Sequence, residues 1–413
     1  MNTLWNRGIG FILAGAMLQS FCTLRLVLLS PLLNRFPEEI LNLNNTAGFV
    51  FKWVIFTFLS KIIGAYVLGK YADSKGFLSA QKIIITGYVV TTGLLFLCCW
   101  CTTDFFSIQT AIFVNSCLSL FFFPATFMFP IMYLMKNYDV SNHVKISSLI
   151  ILSVLTGHEL SYCMLNYVAD YNLRMMSGVF FCCSLLAGLV YCLGRASILS
   201  LEKPVAHTRQ NQLQLLPRYS AKILAMLVGG VCGAVLYHHN FFIAPYILNV
   251  LILKDSGHEQ AHILFYVTLL LFLIFSIKIS DYLEQSKLRI LSLVGILLLT
   301  FGVNIFQLSS MHVYIIYQTL LEFFFACFLT SSFGLIFSLF KDNQPFFNGT
   351  VWFYIGVSFS FLNSYILSEK FGPLHQHFLI MSPLVLNAAL CLIALSIIRL
   401  PLVETSKKRV FHA

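Results

Sequence analysis

Long apolar blocks separated by short polar loops make up most of this 413-residue chain. Each block is roughly 20 residues long and apolar on all sides, which suits a helix that crosses a bilayer core of about 30 Å. Strands cross a membrane only as a closed barrel with alternating apolar and polar residues, a pattern that these blocks lack. The pattern therefore predicts an all-α integral membrane protein with twelve transmembrane helices. They are predicted at 8–33, 47–68, 83–101, 108–135, 146–168, 173–193, 222–248, 261–279, 290–308, 313–340, 349–367 and 378–398.

The longest polar stretch, 194–221, contains Pro204 and Pro217 and lies between the sixth and seventh predicted helices. It divides the chain almost at its midpoint. We therefore predict an N-terminal six-helix bundle over 1–193, a linker over 194–221, and a C-terminal six-helix bundle over 222–413.

Composition agrees with this class of protein, since 58% of residues are hydrophobic and 10% are charged, against about 25% charged in a soluble domain. With the N-terminus inside, nineteen of the 26 Lys and Arg residues fall in cytoplasmic segments and four in outside loops. This bias predicts that both termini are cytoplasmic. It also accounts for the net charge of +10 through contact with anionic lipid, so nucleic-acid binding is not expected. The short loops favour a bacterial inner membrane.

One loop has an informative sequence. Gly69-Lys70-Tyr71-Ala72-Asp73-Ser74-Lys75-Gly76 joins the second and third predicted helices. Gly69 permits two helices to approach closely, and Gly76 permits a tight turn into the next helix. Asp73 is placed to meet the positive N-terminal end of a neighbouring helix.

This loop, together with the twelve predicted spans in two halves, resembles the loop motif of the major facilitator superfamily. The resemblance implies the major facilitator fold and a contact between Asp73 and helix 11 that latches the outward-open state. Gly69, Lys75 and Gly76 would belong to that latch. A second, poorer copy with Asp281 in the place of Asp73 occurs 208 positions later, as an internal duplication predicts. Ser74 stands where the family has a basic residue.

The second predicted helix also resembles one branch of this superfamily. The segment 56–64 is similar to the metabolite:proton symporter branch, which includes proline/betaine, citrate and α-ketoglutarate carriers. That branch has Arg-Pro where Lys61-Ile62 stand here, and its helix-4 acidic residue is missing from 123–128. The branch therefore supplies no substrate for this chain.

Ionisable groups within spans usually mark a transport pathway. By analogy with the family, helices 1, 4, 7 and 10 line the central cavity, so Arg25, His238 and Glu322 are expected to face it. Arg25 suits a carboxylate or phosphate, because a guanidinium binds such oxygens with two hydrogen bonds. The alternative is a structural ion pair of Arg25 with Glu159 or Glu322.

Glu159 and Glu322 are the carboxylates predicted well inside spans, and each is a candidate for loading and releasing a proton, with His158 beside Glu159. The alternative for Glu159 is a packing role with His158 in helix 5. Lys61 and Lys52 are expected to extend towards the membrane interface. His238 is a second candidate substrate ligand, and its alternative is hydrogen bonding within the bundle. Three further residues are candidate substrate ligands: Tyr237, Gln318 and Asn363.

The sequence contains no phosphate-binding loop, no nucleophile-and-base cluster and no metal-ligand motif, so neither an enzyme nor a cofactor is predicted. The prediction is a monomeric secondary transporter that moves a small anionic or zwitterionic metabolite by alternating access, coupled to protons. Two alternatives stay open: an efflux carrier for an amphiphilic compound, and a non-transporting receptor or scaffold on a transporter fold.

Overall fold

The computed structural model describes residues 6–23, 46–101, 105–168, 173–201, 218–237, 257–305 and 311–410. Each regular element within these ranges is a helix, and a 3₁₀ turn at Val140–Asn142 precedes α5. The helices are α1 (Arg7–Phe21), α2 (Thr46–Lys75), α3 (Phe77–Cys101), α4 (Phe105–Asn137), α5 (His143–Val168), α6 (Leu173–Leu199), α7 (Arg218–Tyr237), α8 (Gly257–Ile279), α9 (Gln285–Ile305), α10 (Met311–Phe340) and α11 (Pro345–Val410).

Six of these helices have the length and apolarity to cross a bilayer. They lie at Phe77–Cys101, Val114–Asn137, Val140–Ser161, Arg174–Leu199, Gln285–Gly302 and Ile316–Phe340. A helix is the form these segments take because it satisfies every interior backbone N–H and C=O within the segment, which the bilayer core cannot do. The prediction of an all-α membrane protein is thus confirmed.

The last helix differs from the prediction of two spans joined by a loop, because α11 extends over 66 residues and includes both predicted spans. The Asn387 amide nevertheless donates a hydrogen bond of 3.1 Å to the Ser360 hydroxyl. A straight helix would separate these residues by about 40 Å, at about 1.5 Å per residue. The helical chain therefore turns back on itself between them, and α11 supplies two arms.

The helices form two compact units, each with a central helix. The first unit comprises Met1–Asn137, Leu149–Pro204 and Gln344–Val351, and the second comprises Tyr138–Ser148, Val205–Asn343 and Trp352–Ala413. In the first, α4 packs against α1, α2 and α3. In the second, α10 packs against α7, α8 and α9. The same packing order in each unit is what an internal duplication produces.

A close helix contact is also repeated. In the first unit, a Cβ added at Gly157 would lie 2.0 Å from the carbonyl oxygen of Met17. In the second, a Cβ added at Gly356 would lie 2.0 Å from the carbonyl oxygen of Met226. Glycine permits backbones in a membrane bundle to approach this closely. The two methionines, like the two loops that carry Asp73 and Asp281, occupy equivalent places in the two halves of the chain.

Gly157→Ala and Gly356→Ala should each destabilise the protein, because a methyl group at 2.0 Å from a carbonyl oxygen forces the two helices apart. Overpacking of this kind costs about 1–3 kcal/mol, so the thermal unfolding midpoint in detergent should fall. Gly10→Ala is the matched control, because its Cβ would meet no atom within 4 Å. Equal midpoints for all three variants would contradict the expectation.

Buried hydroxyl groups join α1, α3 and α4 within the first unit. The Tyr88 hydroxyl lies 3.0 Å from the Thr23 hydroxyl and 3.3 Å from that of Thr126. Nearby, the Gln19 amide donates to the Gln81 carbonyl oxygen at 3.0 Å. Side-chain hydrogen bonds of this kind hold helices together in a bilayer, where apolar burial drives association weakly.

Candidate functional site

Glu322 is a buried carboxylate on α10, with 2% of its surface exposed. The Thr268 hydroxyl on α8 donates a hydrogen bond to its Oε2 atom, and the Gln318 amide donates one of 2.5 Å to its Oε1 atom. Gln318 lies four residues earlier on the same helix, which places it on the same face. The structure thus brings a predicted substrate ligand into contact with a predicted proton carrier, and it directs that carboxylate at α8.

This arrangement suits a group that changes its protonation state. Both carboxylate oxygens have a donor, so the ionised form is stabilised in a bundle that excludes water. Thr268 has a hydroxyl that either donates or accepts, so it also provides an acceptor for a protonated Glu322. Neither contact introduces a formal charge that would fix one of the two states.

His158 and Glu159, the second predicted proton-coupling pair, are half-buried on α5. The imidazole ring of His158 lies 6.1 Å from the ring of Phe123 on α4, tilted by 33°. Because the two residues are adjacent on a helix, they point in directions about 100° apart.

Some of the predicted substrate ligands lie within the described residues and others lie outside them. Asn363 is half-buried on α11, and Tyr237 is the last residue of α7. Arg25 and His238 lie outside the described residues, so their roles stay predictions.

Asp73 caps the first turn of α11. Its Oδ1 atom accepts a hydrogen bond of 3.2 Å from the Phe346 backbone N–H, and its Oδ2 atom accepts one of 2.8 Å from the Phe347 N–H. Pro345 begins that helix, which is a position where proline, having no N–H, is favoured. The next N–H groups have no partner within the helix, and the negative carboxylate also complements the helix dipole.

The segment 69–76, predicted as a loop, is helical up to Lys75, because α2 continues beyond the apolar block and ends only before Gly76. Its glycines nevertheless have the local roles that were predicted. A Cβ at Gly69 would lie 2.7 Å from the Phe347 Cα atom, so glycine permits this close approach. Gly76 has a φ of 86°, in the left-handed region that glycine adopts without strain. Lys75 is exposed at the end of α2, where a cation complements the helix C-terminus.

Burial raises the pKa of Asp73 from 3.8 to about 6. The hydrogen bonds from Phe347 and Phe346 and the charge of Lys136 act in the opposite direction but do not cancel it. The group lies beyond the predicted span 47–68. It therefore changes charge close to physiological pH, while it is in contact with α11.

Asp281, the counterpart in the second unit, has a different partner. Its Oδ1 atom forms an ion pair with the Lys145 ammonium on α5 at 2.6 Å, and its side chain is 51% exposed. Four residues later, the Gln285 amide donates a hydrogen bond of 2.5 Å to the Val140 carbonyl oxygen, just before α5. Asp281 therefore contacts the start of α5 through a salt bridge, whereas Asp73, at the equivalent sequence position, contacts the start of α11 through backbone amides.

Arg289 lies one residue before the predicted span 290–308, but it is buried on α9 with 6% of its surface exposed. Its guanidinium donates a hydrogen bond of 2.6 Å to the Ser331 carbonyl oxygen on α10. Helical spacing is consistent with the burial of Arg289, because Ser292, Leu293 and Ile296 follow it at intervals of three, four and seven and are all buried.

Among the described residues, no group of three His, Cys, Asp or Glu side chains is arranged to hold a metal ion.

No protein-family model matches the chain, and no curated protein matches it in sequence. Solved structures do resemble it. The proton:xylose symporter XylE of E. coli superposes with a TM-score of 0.68 at 15% identity, over 93% of this chain and 94% of that chain. The human organic anion transporter MFSD10 superposes with a TM-score of 0.67 at 11% identity, over 95% and 99%. The transporter FucP, in its outward conformation, gives 0.62 at 16% identity, over 94% and 98%.

The chain therefore has the fold of the major facilitator superfamily transporters, and it is an integral, multi-pass membrane protein. The identities establish the fold alone. The more specific resemblance to the metabolite:proton symporter branch stays a prediction.

Proposed function

We propose that this protein is a secondary active transporter that moves a small anionic or zwitterionic metabolite by alternating access, with protons as the coupling ion. The observation that carries the proposal is Glu322, a buried carboxylate with a donor on each oxygen inside a transporter fold. A carboxylate buried in a span costs free energy, so its presence there usually marks a function. A group that alternates between charged and neutral forms is the chemistry that proton coupling requires.

The resemblance to XylE, a proton:xylose symporter, supports the coupling ion, and that of MFSD10, an organic anion transporter, supports the charge of the substrate. Asp73 and Asp281 support alternating access. Asp73 in the last turn of α2 and Asp281 in the turn after α8 each contact the start of a helix from elsewhere in the chain. We propose that they serve as conformational latches, with Gly69, Lys75 and Gly76 in the first.

The distribution of Lys and Arg supports an orientation with both termini in the cytoplasm. We further propose a bacterial inner membrane, a monomer, and two six-helix halves over 1–193 and 222–413 joined by a linker over 194–221. Labelling of single cysteines placed in the linker and in the segment 369–377, from each side of intact cells, tests the orientation directly.

The transport proposal is tested in proteoliposomes that contain a pH-sensitive dye. Amino acids, betaines and organic acids are each added outside, and the internal pH is recorded. We expect one chemical class to move protons with it, with a rate that saturates. Saturable flux of amphiphilic cations alone would favour an efflux carrier. The absence of saturable flux for every compound would favour a receptor or scaffold.

A further inference from the structure

A stripe of exposed apolar side chains runs along α2 and ends at a lysine. Its members follow one another at intervals of three or four residues, which places them on one face of the helix. Each has between 48% and 51% of its surface exposed: Phe56, Leu59, Ile63 and Val67. Lys70 continues the same spacing and is also exposed. In a membrane protein, lipid chains cover an exposed apolar face of this kind. These four apolar residues are called the α2 stripe below.

The lysine at the end of the α2 stripe is held by two aromatic rings. Its ammonium donates a hydrogen bond of 2.5 Å to the Tyr66 hydroxyl oxygen, one turn earlier, and lies 4.3 Å from the centre of the Tyr66 ring. The Phe347 ring on α11 lies 5.5 Å from the same ammonium and meets the Tyr66 ring edge-on at 5.2 Å. Lys70, Tyr66 and Phe347 are called the Lys70 site below.

The charge of the Lys70 site is not neutralised within the part of the chain that the structure describes. There, the Tyr66 hydroxyl is the one hydrogen-bond partner of Lys70, and no carboxylate forms an ion pair with it. Asp73, three residues later, directs both carboxylate oxygens at backbone N–H groups of α11. Aromatic rings attract a cation but leave its charge in place. Two ammonium N–H groups and the Tyr66 O–H remain as donors, and both side chains are exposed.

The Lys70 site lies at the depth of the lipid headgroups. A helix of 30 residues is about 45 Å long, whereas the apolar core of a bilayer is about 30 Å thick. The end of α2 therefore extends beyond the core, and Lys70 lies two residues past the predicted span 47–68. Lysine and tyrosine are both favoured in this interfacial region. A ligand that joins a negative group to apolar chains matches the Lys70 site and the α2 stripe together.

We propose that the Lys70 site binds one anionic phospholipid, with the phosphate on the Lys70 ammonium and the Tyr66 hydroxyl and an acyl chain along the α2 stripe. A lipid with net negative charge is preferred over a zwitterionic one, because the positive group of a zwitterionic headgroup would meet the ammonium. The site does not depend on the proposed transport function, since it lies on the lipid-facing surface of α2 and requires only the membrane fold.

Native mass spectrometry of the full-length protein in detergent tests this lipid site. Three lipids with the same acyl chains are titrated separately, and the dissociation constant of the first bound molecule is measured. Phosphatidylglycerol is anionic, phosphatidylcholine is zwitterionic, and diacylglycerol has no phosphate. We expect phosphatidylglycerol to bind at least about fivefold more tightly than phosphatidylcholine, because one lysine near a membrane surface favours anionic lipid by about that factor. Diacylglycerol should bind more weakly still.

Three variants locate the binding. Lys70→Met keeps the apolar stem and removes the charge, and it should weaken phosphatidylglycerol binding by at least about fivefold. Tyr66→Phe keeps the ring and removes only the hydroxyl donor, and it should weaken binding by about twofold to tenfold. Lys82→Met is the matched control, because Lys82 is exposed on α3 and its replacement removes the same charge away from the α2 stripe. It should leave the dissociation constant unchanged.

Lys70→Arg retains the cation and should keep the preference for phosphatidylglycerol, which separates loss of charge from poor folding. Equal dissociation constants for phosphatidylglycerol and phosphatidylcholine in the wild-type protein would overturn the proposal. So would equal weakening by Lys70→Met and Lys82→Met, since that result would reflect net charge alone. A lipid-free dimer that Lys70→Met disrupts would assign this face to a second copy of the chain, and would also overturn it.

Discussion

Glu322→Gln should abolish substrate accumulation driven by a proton gradient, while exchange of substrate across the membrane at equal concentration persists. Glutamine is nearly the same size and keeps hydrogen-bonding partners for Thr268 and Gln318, but it cannot bind and release a proton. Accumulation requires net proton movement, whereas exchange requires only that the loaded protein change its conformation. Both rates are measured in proteoliposomes with the substrate that the transport screen identifies.

Glu284→Gln is the matched control for this variant. Glu284 precedes α9 and is 70% exposed, with an ion pair of 3.5 Å to Lys287. Exposed pairs of this kind contribute little, so both transport modes should be unchanged. Glu159→Gln completes the set, since it is the other predicted carrier. If Glu322→Gln and Glu159→Gln each retain proton-driven accumulation, neither carboxylate is the coupling group.

The donors of Glu322 show where sequence analysis reaches its limit. Residue type and position within an apolar block were sufficient to select Glu322 as a buried carboxylate. Gln318 was also selectable as its neighbour, because residues four apart share a helix face. Thr268 was not, because it is 54 positions away and its meeting with Glu322 depends on how α8 packs against α10.

The fold was predictable because it follows from local sequence, whereas the contact between Thr268 and Glu322 depends on how distant helices pack. Apolar block length determines which segments cross the bilayer, and the spacing of the blocks gave the helices described here. The reversal within α11 was placed correctly between two spans, but its helical backbone was not predicted. The burial of Arg289 was not predicted, because the residue lies just outside the predicted span 290–308, although the helical stripe that follows it is buried.

The role of a charged residue near the end of a helix is similarly ambiguous until its partner is known. Asp73 and Asp281 occupy equivalent places in a duplicated motif, yet the first accepts backbone hydrogen bonds and the second forms an exposed salt bridge. Burial of Asp73 raises its pKa to about 6, although the two backbone hydrogen bonds from α11 act in the opposite direction. We therefore expect mutation of Asp73 and mutation of Asp281 to have different effects on the stability of the helix ends that they contact.

Asp73→Ala should release the start of α11, because the Phe346 and Phe347 N–H groups lose their acceptor. Hydrogen bonds to a charged group contribute about 1.5–3 kcal/mol, so amide hydrogen exchange in the segment 344–351 should accelerate at least about tenfold. Asp281→Ala removes an exposed ion pair and should leave exchange in 344–351 unchanged, which makes it the matched control. Unchanged exchange in Asp73→Ala would show that the cap does not hold the helix end.

The same contact should depend on pH with a definite sign. Because the pKa of Asp73 is raised to about 6 by burial, the capped state binds a proton more readily than a solvated carboxyl does. The stabilisation that protonation adds is complete below pH 3.8 and is lost as the pH rises through about 6. In the wild-type protein, protection of 344–351, corrected for the intrinsic exchange rate, should therefore fall between pH 5 and pH 7. Asp73→Ala should lack this dependence, because the residue that titrates is gone. A wild-type profile that rises over the same interval would mean that the amide donors and Lys136 outweigh the cost of burying the charge.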